Sequence, residues 1–323
     1  MILSLVAVLF GLLLLVWSAD RFIEGAAVSA ARLGVPTLVV GMLVVGFGTS
    51  APEMLVSAMA SLAGSPALAL GNAYGSNIVN TSLIVGLTAL LSPIAVHSRL
   101  VRRELPLLLG VTVLSGVLVW DRTLARWECL LLLAGFVGML AWTLHHARRS
   151  EDDALREEIE SEVSAHEMPL ARALFRLVSG LVLLVVASRL LVWGAVEVAG
   201  SLGVSDLVVG LTIVAIGTSL PELAASIVAV RRKEHDLALG NVVGSNLFNL
   251  LAVVGIAGAI TPLRGIEAEV VGRDFATVLG LTVLLALLCL PFRGERRVSR
   301  VSGVFLVGLY VAYTTVLVRD ALV

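Results

Sequence analysis

GFGTSAPEMLVS, residues 46–57, lies inside a long apolar stretch yet carries a proline, a glutamate and three hydroxyl side chains. The chain repeats it in its second half as AIGTSLPELAAS, residues 215–226. The same register lays LALGNAYGSNIVN on LALGNVVGSNLFN, and from Gly25–Pro93 to Gly194–Pro262 no gap is needed for 30 identical pairs in 69. Two unrelated greasy helices would share Leu and Val; here Gly, Thr, Ser, Pro, Glu and Asn coincide. The chain therefore reads as two copies of one unit, which changes every later inference.

Of 323 residues 58% are apolar and 15% charged, with mean hydropathy +1.00, and long apolar runs recur from end to end. About 20 residues at 1.5 Å rise cross a bilayer core of roughly 30 Å, and the runs are continuous rather than alternating, so the spans are helices. Spans are expected at 2–22, 35–62, 67–92, 104–121, 127–146, 172–200, 204–231, 236–262, 272–292 and 300–318. The expected fold is an all-α integral membrane protein with ten transmembrane helices. The first half is 1–146, a linker 147–171, and the second half 172–323. Five spans per copy is an odd number, so the second copy enters the membrane from the opposite side. Such inverted repeats characterise secondary transporters, whose binding site lies near the midplane on interrupted helices. The N-terminal run has no basic n-region or cleavage site and reads as a retained first helix.

The charges orient the chain. Loops on the side of the termini hold five basic residues and those on the other side 17, with Arg189 inside a span. The positive-inside rule then puts both termini outside and the 147–171 loop in the cytoplasm, in a cell inner membrane. That loop, with its eight carboxylates, reads as a solvated linker. A net charge of −1 gives no reason to expect nucleic acid, and nothing signals an obligate protein partner or a cofactor. Cys129 and Cys289 fall within spans and form no CxxC, so neither a disulfide framework nor a thiolate metal site is supported. His97, His145, His146, His166 and His235 sit at span ends or in loops, which removes an intramembrane serine protease, and there is no HExxH.

A charge at the bilayer centre costs about 2.5–3.5 kcal/mol on insertion scales, so Glu53 and Glu222 are functional candidates. Pro52 and Pro221 cannot donate to the carbonyls four residues back, Gly48 and Gly217, which frees oxygens where water is scarce. Thr49, Ser50, Thr218 and Ser219 add hydroxyls beside the break. In GNAYGSNIVN, Asn72, Ser76 and Asn80 share one helix face, and Asn241, Ser245 and Asn249 repeat them. Ser76, Asn80, Ser245 and Asn249 are expected to face the site; Asn72, Asn77, Asn241 and Asn246 serve either the site or helix packing. The donor set is all oxygen, which suits hard cations such as Ca2+, and two glutamates match the charge of one divalent ion.

GTSAPE with GNAYGSN, and GTSLPE with GNVVGSN, resemble the two alpha-repeats of the sodium/calcium exchanger family in the cation/calcium antiporter superfamily. The likeness covers nearly the whole chain and suggests a compact prokaryotic member. The resemblance implies exchange of Na+ for Ca2+ by alternating access, with Glu53 and Glu222 bridging the ions and Thr49 and Thr218 completing the Ca2+ site. It implies flanking Na+ sites at Ser50, Ser219, Ser76 and Ser245 and at the carbonyls near Gly46 and Ala215, with the first and sixth helices sliding past the other eight. The chain departs from the family at Asn80 and Asn249, both amides where members often pair an asparagine with an aspartate. Because PE stands in both repeats, K+ cotransport is not expected. Ca2+/H+ exchange at the same glutamates is the alternative.

Overall fold

A computed structural model describes residues 2–32, 49–96, 100–147, 168–231, 235–290 and 297–321. Two long helices, α1 (Ile2–Arg32) and α6 (Leu170–Leu202), lie antiparallel against each other. Small residues set their separation. A Cβ on Gly180 would collide with the backbone of Phe22, and one on Gly11, its equivalent in the first copy, would press on the backbone of Leu191 at 3.0 Å. Gly25 against Leu177 and Gly194 against Val8 form a second reciprocal pair. Removing the side chain at these crossings lets the backbones touch. Arg176 of α6 adds an ion pair to Glu24 of α1 at one end. At 31 residues α1 outruns the expected 2–22 span, because its alanine-rich continuation keeps packing on α6. α6 stops at Gly203, whose φ of 68° only glycine adopts without strain.

Between these lie α2 (Ala51–Leu62), α3 (Pro66–Leu91), α4 (Leu105–Val119) and α5 (Arg126–Ala147). The second half follows with α7 (Asp206–Thr218), α8 (Leu220–Arg231), α9 (His235–Phe248 continued through Asn249–Val253 to Val254–Ile260), α10 (Val270–Leu288) and α11 (Arg300–Ala321). α7 and α8 are one apolar stretch bent by 42°. Among the described residues seven helices are long and apolar enough to cross a membrane, eight if that bent pair is one span. Of the other two expected spans, 35–62 begins in residues outside the described ones. The other, 104–121, has only 15 residues of regular α-helix in α4, preceded by a wider π turn, Leu100–Glu104, that carries Arg102 and Arg103.

Burial sorts the helices. The most apolar windows of α3 and α9 are 78% buried, against 22% for α5 and α11, so α3 and α9 form the centre and the others face outward. The outer surface is apolar, with Leu3, Trp127, Phe175, Val301 and Phe305 among its exposed side chains. That is the surface a bilayer solvates. Two antiparallel strand pairs brace the ends: β1 (Ile94–Ala95) with β4 (Arg297–Val298), and β2 (Thr123–Leu124) with β3 (Leu263–Arg264). β1 and β3 occupy equivalent positions in the two copies, after α3 and after α9.

Candidate functional site

The site forms where α2 and α8 begin. Each starts with a leucine or alanine followed by proline, and each places its glutamate in the first turn. Proline is tolerated there because that N–H has no helical acceptor. Ser50, at φ −91° and ψ 0°, and Ser219, at φ −85° and ψ 6°, are the residues at which the chain turns. The turns face α3 and α9, and close contact of α3 with α7 holds them there. A Cβ on Gly71 would collide with the Leu207 carbonyl, and one on Gly210 with the Leu68 carbonyl.

Glu53 and Glu222 are both fully buried. Part of their hydrogen bonding crosses between the halves of the chain. Ser219 Oγ donates to Glu53 Oε1 at 3.4 Å, and Ser50 Oγ donates to Glu222 Oε1 at 3.5 Å. Ser245 Oγ, from the same half as Glu222, donates to the same oxygen at 3.0 Å. Neither carboxylate has a cationic side chain as an ion-pair partner among the described residues. Two carboxylates out of water, held by hydroxyls and backbone N–H groups and by no cationic side chain among the described residues, form an electrostatically incomplete cluster, since a buried charge without a counter-charge is costly.

The threonines stand beside the carboxylates, Thr218 by Glu53 and Thr49 by Glu222, and also meet amides. Thr49 Oγ1 donates to Asn241 Oδ1 at 3.3 Å and Thr218 Oγ1 to Asn72 Oδ1 at 3.1 Å. Asn72 Nδ2 in turn donates to Ser57 Oγ at 3.0 Å and the Glu53 carbonyl at 3.4 Å. Asn241 Nδ2 donates likewise to Ser226 Oγ and the Glu222 carbonyl, both at 3.3 Å. Asn72 and Asn241 thus clamp the glutamate-bearing turns, a role between the two that the sequence left open. With their protons given to amides, the threonine hydroxyls keep lone pairs as donors to a cation.

Among the site candidates of these motifs, five buried oxygens have no hydrogen-bond partner: Glu53 Oε2, Glu222 Oε2, Ser76 Oγ, Asn80 Oδ1 and Asn249 Oδ1. All five belong to residues singled out from the repeats. Buried polar atoms are rarely left unpaired in native proteins, so this group calls for a ligand that accepts lone pairs. Two expected carbonyls fare differently. Gly46 lies outside the described residues. Ala215 O accepts from Ser219 N–H at 3.1 Å, the ordinary helical bond four residues on, and keeps its second lone pair.

Several parts of the site are not evident from the motifs alone. Ser57 and Ser226 stand at identical places in the two repeated stretches, and that identity is the signal that could have marked them. Asn80 and Asn249 lie in wider, π-helical turns, Val79–Ile84 and Asn249–Val253. Such turns cluster at functional sites and insert an extra residue that side-chain spacing does not reveal.

Outward-facing apolar helices around a buried cluster of hydroxyls, amides and carboxylates define a multi-pass membrane protein. The sequence matches the profile of the family described as sodium/calcium exchanger protein over residues 3–144 and 172–319, and the chain belongs to that family. It is 45% identical over 314 residues to the antiporter candidate CaxA of Alkalimonas amylolytica, covering 97% of this chain and 98% of that protein. It is 40% identical over 321 residues to inner membrane protein YrbG of Escherichia coli K12, covering 98% and 97%. Among solved structures, the sodium-calcium exchanger NCX_Mj soaked with 100 mM Na+ and 10 mM Sr2+ matches with TM-score 0.65 and 31% identity, over 97% of this chain and 98% of that one. The protein is thus a membrane antiporter of the exchanger family, a transporter class rather than an enzyme class.

Proposed function

We propose that the protein exchanges Na+ for Ca2+ across an inner membrane, by alternating access around Glu53 and Glu222. The observation that carries this is the pair of buried carboxylates with no cationic partner among the described residues, accompanied by buried oxygens without donors. Two negative charges and an all-oxygen set fit one Ca2+, which takes 6–8 oxygens in flexible geometry, or Na+ at the same atoms. Glu53, Glu222, Thr49 and Thr218 are the Ca2+ ligands. Ser50, Ser219, Ser76, Ser245, Asn80 and Asn249 supply the flanking Na+ positions. Bringing Ser50 to Glu222 and Ser219 to Glu53 makes each carboxylate answer to both halves, so an ion bound there ties the halves together.

The proposed architecture is ten spans in two inverted halves, 1–146 and 172–323, with the 147–171 linker cytoplasmic and both termini outside. Reciprocal contacts support it: Gly11 with Leu191 against Gly180 with Phe22, and Asn72 with Thr218 against Asn241 with Thr49, each pair exchanging into the other when the two copies are swapped. The paired long helices α1 and α6 are the elements that slide, since their glycine-lined contact needs no side chains to disengage. Ca2+/H+ exchange is the second reading, because the same glutamates can carry a proton in place of Na+. Replacing Glu53 or Glu222 by glutamine tests the site. Exchange in proteoliposomes is expected to fall to the background of empty vesicles while the protein is still inserted; near-normal transport in either variant removes the site.

A further inference from the structure

We infer that Asn77 and Asn246 are positioning residues that turn the amide oxygens of Asn80 and Asn249, rather than their NH2 groups, toward the transported cations. The inference rests on the exchange reading and deepens it. An asparagine is a cation ligand only through Oδ1; turned by half a revolution it presents two N–H donors and repels the ion. An aspartate has no such wrong face. This chain has asparagine at the position in both repeats, so something must set each amide.

The hydrogen bonds show what does. The backbone carbonyl of Asn246 can only accept, and Asn77 Nδ2 donates to it at 3.3 Å. That contact fixes Asn77 with its Oδ1 on the other side, where it accepts from Asn249 Nδ2 at 3.1 Å. Asn249 is therefore set with its Oδ1 directed away from Asn77, and that oxygen is buried and without a donor. The other repeat reaches the same result. Asn246 gives its own NH2 to Thr81 Oγ1 at 2.8 Å, which leaves its Oδ1 to accept from Asn80 Nδ2 at 3.2 Å, and Ser245 Oγ accepts from the same Asn80 NH2 at 3.2 Å. Asn80 Oδ1 is then the second amide oxygen that is buried and without a donor. Each half of the chain thus sets the amide of the other. Asn77 and Asn246 are 2% and 1% exposed, so no solvent competes for these bonds.

The test is a comparison of Asn77→Leu in two backgrounds, the wild type and Asn249→Asp, whose two equivalent carboxylate oxygens cannot be turned wrongly. In proteoliposomes the Na+ concentration for half-maximal exchange at fixed Ca2+ is expected to rise about 10–100-fold for Asn77→Leu alone, the usual effect of losing a group that orients a metal ligand. Against Asn249→Asp as its own reference, the same substitution is expected to cost less than about threefold, the signature of coupled residues in a double-mutant cycle. A merely structural role for Asn77 gives equal penalties in both backgrounds, and that result, or no penalty in the wild type, overturns the inference. Asn246→Leu with and without Asn80→Asp repeats the comparison in the other half. Where the leucine variants do not fold, Asn77→Ala in the same two backgrounds makes the comparison, and equal penalties there contradict the inference. Wild-type transport is measured first. Its absence removes the exchange reading, while Na+-dependent thermal stabilisation of the same variants without a gradient still reads the amide orientation.

Discussion

Glu53 and Glu222 meet no lysine, arginine or histidine among the described residues, and at both, part of the hydrogen bonding comes from a serine of the opposite half. A hydroxyl can donate one proton and still offer lone pairs, so it can neutralise little of a carboxylate but can share a cation with it. This makes serine the expected choice next to a site that must be filled and emptied. Ser219→Ala and Ser50→Ala each remove one charge-assisted hydrogen bond and one candidate Na+ ligand, leaving the carboxylate in place. The expected outcome is a raised Na+ concentration for half-maximal exchange, by about tenfold, with a smaller change for Ca2+. An unchanged Na+ dependence, measured as Na+-driven Ca2+ flux at fixed Ca2+, contradicts the assignment of these serines. The candidate donors were legible because every one of them stands in a repeated motif at fixed spacing. The orientation of the amides was not, since it depends on contacts between Asn77 and Asn249 and between Asn80 and Asn246, which no single half of the sequence contains.

At the scale of elements, proline and glycine divide the work. Proline at the start of α2 and α8 marks the beginning of a new helix, so that Glu53 and Glu222 sit in first turns where the helix dipole favours a negative charge. Glycine then lets α3 and α7 touch, backbone to backbone, at Gly71 and Gly210. Gly71→Val or Gly210→Val forces the helices apart. The expected loss is about 1–3 kcal/mol, as for other overpacked contacts, read as a lower thermal midpoint in detergent together with weakened exchange. An unchanged midpoint contradicts the close crossing. Most helices lie within a few residues of where apolar runs place them, since burial in lipid needs continuous hydrophobicity that the sequence displays directly. Three features escaped it. The extension of α1 to Arg32 is held by packing against α6, the 42° bend at Ser219 has a size that proline alone does not set, and the π turns at Asn80 and Asn249 leave the side-chain pattern unchanged.

At the scale of the molecule, an apolar exterior encloses a polar centre, and contacts recur in pairs related by the internal repeat. In the proposed architecture, five spans per half put equivalent segments on opposite faces of the membrane. The strand pair β2 with β3 and the strand pair β1 with β4 should then lie on opposite sides. A cysteine introduced at Arg122, beside β2, is expected to react with a membrane-impermeant maleimide in intact cells. One at Arg103 should react only after permeabilisation, against a background in which the buried Cys129 and Cys289 are silent. Labelling of both from outside contradicts the inverted arrangement.

The claim that Na+ is the partner of Ca2+ at these glutamates is decided by one measurement. 45Ca2+ uptake is followed in proteoliposomes carrying the purified protein, first with an outward Na+ gradient and then with a pH gradient in the absence of Na+. Uptake is expected with the Na+ gradient and to be lost in Glu53→Gln and Glu222→Gln. Uptake driven by the pH gradient alone contradicts Na+ coupling and leaves proton exchange at the same carboxylates.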